Sequence, residues 1–225
     1  ALAGSDRLEP GKQGETMPGE AVVLPQPYSK GVRAVGHDAI RGRDTNVQLA
    51  WVDHCAYVSS TAGPFPIIGI KGGDPATNGV VVIDVSNPRK PRTVRLLRDR
   101  GSLAALEVLH AVSAPGGRKV LVAGAYHGGS KAAGTSGSAG HDPASDGAWL
   151  DIYDASDCAN PKLMAEVQWL DNSHTARISP DGRLVYGTNL SPFTGEGGIQ
   201  IMDISDLAKP RFLGKFGATR PDGTS

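Results

Sequence analysis

The chain is poor in aromatic side chains: three Trp, five Tyr and four Phe make up only 5% of its 225 residues. It has two cysteines and three methionines. Two cysteines exclude a disulfide-dense mini-scaffold and any zinc module built from paired C-x-x-C motifs. Charge of one sign is also missing, because 23 Lys and Arg balance 23 Asp and Glu. Such a chain has no field to recruit nucleic acid or an anionic membrane surface. No apolar run approaches the ~18 residues of a membrane span. No helical period is sustained, and neither a phosphate loop nor a G-x-S-x-G elbow occurs. The glycine-rich "GIKGGD" at 69–74 has a lone Lys71, which does not make a nucleotide site.

Glycine and proline are abundant, 30 and 16 residues, together about a fifth of the chain. That usage suits an all-β protein with many turns. The sequence opens Ala1-Leu2-Ala3-Gly4 without Met, a small-residue pattern like the end of a secretory signal. An even cysteine count is consistent with one disulfide in an oxidising compartment, so secretion is expected.

An internal repeat sets the architecture. "VVVIDVSNPRKPRTVRLL" begins at Val80, "WLDIYDASDCANPKLMAEV" at Trp149 and "IQIMDISDLAKPRFLGKF" at Ile199. Each is an apolar run ending in Asp (Asp84, Asp154, Asp203), followed seven residues later by Pro (Pro91, Pro161, Pro210). Asp with Ser two residues on suits a turn in which the carboxylate accepts backbone N–H groups, and Pro restarts an extended chain. The three aspartates are therefore read as turn-makers, not catalytic acids. A second hairpin precedes each repeat: 46–60, 110–124 and 174–188. The last holds Pro180-Asp181-Gly182 between two short apolar segments, a strong hairpin signal. Four short strands in two hairpins make a β-propeller blade, with strand one lining the central channel. The expected blades are 46–99, 108–170 and 172–217, after an extended N-terminal segment at 1–30. Insertions at 61–79 and 126–147 are expected as large loops, the second mobile and carrying His127 and His141.

The "V-V-I-D-V-S-N-P-x-x-P" pattern resembles the LVIVD-repeat family, secreted bacterial β-propellers. Further resemblance lies in "EPGKQGETMPG" (9–19), "DHCAYVSS" around Cys55, "DIYDASDCANP" around Cys158 and "HTARISPDG" from His174. The resemblance implies fold and localisation, and no particular activity.

Propellers close with about four to eight blades, so three blades and an N-terminal closing strand at 31–40 leave a ring to be completed. A complementing chain is expected, either the C-terminal remainder of the precursor or a second copy.

Two constellations bear on function. His110 and His174 occupy equivalent starts of the inner strands of adjacent blades and are expected on the channel side. They either hydrogen-bond across the channel and seal blade to blade, or bind zinc, copper or iron with oxygen from Glu107 or Asp171. Asn46 holds the equivalent place in the first blade and is a poor transition-metal ligand. Cys55 and Cys158 fall on one face of neighbouring blades, and a structural disulfide is expected there. A His54–Cys55 nucleophile pair is disfavoured, because adjacent strand residues point to opposite faces. The catalytic residues, if any, are unassigned. Two functions follow: a secreted non-catalytic scaffold binding a protein or surface glycan, or a metal-dependent oxidase or lyase with a histidine-lined channel.

Overall fold

The computed structural model describes residues 34–40, 43, 46–60, 75–103, 105–125, 149–168, 173–189 and 198–217. The expected N-terminal segment 1–30, His127, His141, Asp171 and most of both insertions lie outside these residues. The chain divides into 1–35 and 36–225, and the second unit holds the blades.

Among the described residues, twelve strands form three separate four-stranded antiparallel sheets in simple up-and-down order. Blade 1 comprises β1 (Leu49–Val52), β2 (Cys55–Val58), β3 (Val80–Asp84) and β4 (Arg92–Leu97). Blade 2 comprises β5 (Leu109–Ser113), β6 (Lys119–Gly124), β7 (Trp149–Asp154) and β8 (Lys162–Gln168). Blade 3 comprises β9 (Ser173–Ile178), β10 (Leu184–Asn189), β11 (Gly198–Asp203) and β12 (Arg211–Phe216). One short helix, α1 (Arg100–Leu103), links blades 1 and 2. The fold is an all-β propeller arrangement of stacked blades.

Face-to-face stacking explains the sequence pattern. Val80, Val81, Val82 and Ile83 of β3 are all buried, because that strand is covered on both faces and needs no polar alternation. Val80 and Val82 join Ala50, Val52, Tyr57, Leu109, Leu121 and Tyr153 in the core between blades 1 and 2. Val120, Val122, Leu150 and Ile152 of blade 2 meet Ala176, Ile178, Val185 and Met202 of blade 3. Burial of these side chains, at ~25 cal/mol per Å², holds one blade to the next.

Polar bridges fix the blades in register. The Arg118 guanidinium of blade 2 donates from Nε to Gly182 O (3.0 Å), from Nη1 to Ser205 O (3.1 Å) and from Nη2 to Ile204 O. Its planar fork thus grips two turns of blade 3 at once. Lys119 Nζ reaches Asp53 Oδ2 of blade 1 at 2.6 Å.

Each blade carries a β-bulge at the same repeat position. Pairing steps from Val82↔Arg95 to Ile83↔Thr93, from Ile152↔Ala165 to Tyr153↔Leu163, and from Ile201↔Gly214 to Met202↔Phe212. The extra residue in the outermost strand is Val94, Met164 or Leu213, always ten positions after the repeat Asp.

The described part of the segment expected as a closing strand, 34–40, has no strand pairing. It fastens to blade 1 by side chains: Asp38 Oδ2 accepts from Thr93 N (2.8 Å) and Thr93 Oγ1 (3.2 Å). A Cβ on Gly36 would stand 2.0 Å from Pro88 O, so glycine is required by close approach to the β3–β4 turn. Arg43 donates to Val58 O (3.2 Å) and Gly79 O (2.7 Å), and burial lowers its pKa to about 10.

Candidate functional site

The inner strands β1, β5 and β9 face an open cleft of about 620 Å³. Gln48, Leu49, Ala50, Trp51 and Asp53 line it from blade 1, His110 to Ser113 from blade 2, and Arg177 from blade 3. Trp51 is 68% exposed, which is unusual for the largest side chain in an aromatic-poor protein. Alternation along β1 explains its direction: Ala50 and Val52 turn into the blade 1–blade 2 core, leaving Leu49 and Trp51 outside.

His110 lies in this cleft wall, and its Nδ1 accepts a hydrogen bond from the Ile178 N–H of blade 3 at 3.0 Å. Burial and the neighbouring Arg177 charge lower its pKa to about 4. A backbone N–H can only donate, so the ring carries its proton on Nε2, and that tautomer has no lone pair left for a metal. His174 takes a different partner, with Nδ1 3.0 Å from Glu107 Oε2. Ile178 is four residues beyond His174 on β9, about 13 Å along an extended strand. Both histidines bridge blades 2 and 3, each with its own partner at its own end of β9.

The three repeat aspartates act on the turns that follow them. Asp84, Asp154 and Asp203 each accept the N–H of the Ser two residues later, at 2.9 Å in every case. Arg92 and Arg211 add salt bridges to Asp84 and Asp203. These contacts hold both carboxyls at a pKa of about 2, the Ser86 hydroxyl leading at Asp84 and the Ser205 N–H at Asp203. The Ser156 hydroxyl and N–H hold Asp154 below the usual range too.

Cys55 and Cys158 form a disulfide that joins blade 1 to the β7–β8 turn of blade 2 across a sequence separation of 103. The Tyr57 hydroxyl, buried beside it, donates to Cys158 O at 2.8 Å. Burial, with Asp53 and Asp157 nearby, pushes its pKa up. His54 sits in the β1–β2 turn, where Asp53 has φ 49°. Its Nε2 is 3.7 Å from Cys158 Sγ. Because His54 lies in a turn and not on a strand, alternation does not hold it away from Cys55: its ring nitrogen comes within 4.8 Å of the sulfurs of both Cys55 and Cys158.

A further buried group carried no sequence signal strong enough to single it out. Asp151 of β7 is fully buried. It accepts from Gly101 N (3.0 Å), Ser102 N (2.7 Å), Ser102 Oγ (2.8 Å) and Tyr153 Oη (3.2 Å). Tyr153 Oη also donates to Asp99 Oδ2 at 2.7 Å. The network ties the α1 linker to blade 2. A Cβ on Gly101 would lie 2.4 Å from Ala123 O, so only glycine lets the linker come this close.

No curated protein sequence matches the chain. Among solved structures, it is similar to a eukaryotic initiation factor (15% identity, TM-score 0.46, covering 80% of this chain and 34% of that one). It is also similar to a hypothetical selenium-binding protein from Sulfolobus tokodaii (11%, 0.49, 78% and 42%). A third likeness is to Kuenenia stuttgartiensis hydrazine synthase (12%, 0.39, 88% and 57%). The chain spans less than two thirds of the length of each. The LVIVD repeat matches residues 76–95 and 194–217, which cover β3 with the first part of β4, and the whole of β11 and β12. The chain thus carries the LVIVD repeat in two of its blades, as its resemblance to the LVIVD-repeat family implies.

Proposed function

We propose that the chain is a secreted, non-catalytic propeller scaffold that binds a glycan in the inner-strand cleft. The observation that carries this reading is the exposed Trp51, flanked in one cleft by Gln48, Asp53, Ser113 and Arg177. A sugar ring offers an apolar C–H face and a rim of hydroxyls. The indole face covers the first, and the amide, carboxylate, hydroxyl and guanidinium groups pair with the second. A concave site with few convergent polar groups is the ordinary form of a small-ligand pocket. Secretion is supported by the Cys55–Cys158 disulfide, a bond that persists in oxidising compartments.

Trp51→Ala should weaken binding of a captured oligosaccharide by about tenfold or more, the scale of one aromatic anchor. Calorimetric titration of both proteins, after a screen of neutral and acidic oligosaccharides, checks this. A wild-type chain that captures none of them, or a variant that binds equally well, removes the reading. The metal-dependent oxidase or lyase needs His110 and His174 to abandon Ile178 and Glu107, and draws no such support.

The scaffold also presents a face for a complementing blade. Tyr186, Ile199 and Phe216, on the face of blade 3 turned away from blade 2, are 37%, 46% and 63% exposed. Similar apolar faces are covered where blades 1, 2 and 3 meet, and exposed patches of this kind mark interaction sites. A partner sheet from a second copy or another polypeptide fits it. Sedimentation of the native assembly should give a mass above the 23.3 kDa of the chain; a stable, well-folded monomer would count against the partner.

A further inference from the structure

The cluster His54, Cys55 and Cys158 has more chemistry than a staple uses. We propose that it is a latent site for a tetrahedral, thiolate-binding d10 cation of the Zn2+ type, masked by the disulfide and opened by reduction. One ligand atom from each residue lies within 4.8 Å of the others, and no other such His/Cys/Asp/Glu group occurs among the described residues. Tetrahedral zinc with Zn–S near 2.3 Å and Zn–N near 2.0–2.1 Å places sulfur and nitrogen about 3.6 Å apart. His54 Nε2 and Cys158 Sγ already stand at 3.7 Å. With Cα atoms 5.7 Å apart, the two cysteines can open their sulfurs to a tetrahedral edge by side-chain rotation.

The donors would stay in place once the bond is broken, because other contacts hold their backbones. Cys55 is locked in the β1–β2 and β2–β3 ladders opposite Val52 and Asp84, and His54 O accepts from Val85 N at 2.8 Å. The turn carrying Cys158 is tied to blade 1 by the Tyr57 hydroxyl and by Arg95, which donates to Asn160 Oδ1. Cys55 and Cys158 are 0% and 3% exposed, so an attacking protein thiolate has no approach, which argues against a thiol-exchange catalyst. The exposed His54 marks the side from which a cation enters and leaves the fourth position to water.

The chemistry balances with a small dithiol as reductant. It supplies two electrons and two protons and closes to its own disulfide, while the Cys55–Cys158 bond breaks to two thiols. The divalent cation then displaces one proton from each thiol to solvent. This site is independent of the glycan cleft and of its test.

Cobalt(II) is the probe. After dithiol reduction and removal of the reductant without air, the 225-residue chain should bind one Co2+ with thiolate-to-cobalt charge-transfer absorption. Zn2+ should abolish the band, and the oxidised chain should show none. His54→Ala, which keeps both sulfurs, should weaken binding by about tenfold or more through loss of one of three protein ligands. Cys158→Ser should remove the band. The proposal is overturned if the reduced chain gives no band or if His54→Ala binds like wild type. It is equally overturned if reduction alone destroys the β-sheet circular dichroism, since no preformed site then exists.

Discussion

Asp151→Ala should destabilise the chain by about 3–5 kcal/mol, the scale seen when a buried, hydrogen-bonded charge network loses its central partner. The carboxylate receives two backbone N–H groups and two hydroxyls inside the protein. Alanine leaves the Gly101 and Ser102 N–H groups without this acceptor, strips one partner from the Ser102 and Tyr153 hydroxyls, and frees α1 from β7. Urea unfolding followed by circular dichroism reads the loss directly; a change below about 1 kcal/mol would mean that water replaces the carboxylate, as for an ordinary surface substitution.

Titration of the same group gives a second reading of its burial. Desolvation pushes the Asp151 carboxyl up to about 6, against the Gly101 and Ser102 hydrogen bonds, with the Asp99 charge pushing the same way as burial. Between about pH 4 and 6 the folded chain therefore holds a proton that the unfolded chain has lost. Stability from this group falls as pH rises through that window, by on the order of 3 kcal/mol. His110 works in the opposite sense. Its folded pKa of about 4 lies below the ordinary 6.5, so its contribution is present above 6.5 and is lost as pH falls towards 4. The two slopes oppose each other in the wild-type chain. In Asp151→Asn only the His110 slope remains, and stability should rise from pH 4.5 to 6.5 more steeply than in wild type. Equal slopes would show that Asp151 titrates as an exposed carboxylate does.

Cys55→Ser should cost about 4–5 kcal/mol in the chain-entropy picture for a loop on the order of 100 residues. Most of that effect acts on the unfolded chain, which loses its one disulfide crosslink. The apolar interface between blades 1 and 2 remains in either case. The expected signature is an unchanged strand spectrum in buffer with a urea midpoint lowered by about 1.3–2.5 M, from m-values of about 2–3 kcal/mol per M for a chain of this size. An unmoved midpoint would mean that native-state strain offsets the entropy gain.

What could be read from the sequence follows the range of each interaction. The Asp–x–Ser turns are local, so a two-residue spacing was enough to find the contacts of Asp84, Asp154 and Asp203. The blade faces were legible because an uninterrupted run such as Val80–Val81–Val82–Ile83 has few homes other than a strand covered on both sides. The contact between His54 and Cys158 spans two blades, and nothing local encodes it. Asp151 did leave a trace. Three residues before the repeat Asp stand Val81, Asp151 and Gln200, all buried, so a charge there needed a donor set from elsewhere in the chain. That set, Gly101 and Ser102, lies in a linker whose sequence shows no helical period. The closing strand expected at 31–40 is the opposite case: an extended-looking segment whose described part is held by the Asp38 side chain and makes no ladder.

The bulges at Val94, Met164 and Leu213 bear on how this protein avoids fibrils. Each kinks the outermost strand of its blade, an outward edge that could accept a foreign strand. The same strands carry Arg92 and Arg95, Lys162 and Glu166, and Arg211 and Lys215, charges that an in-register stack would bring together. A molecule with bent, charged rims and apolar faces is steered to associate by stacking whole sheets. Growth strand by strand, the route to cross-β aggregates, is obstructed at the same point in every blade.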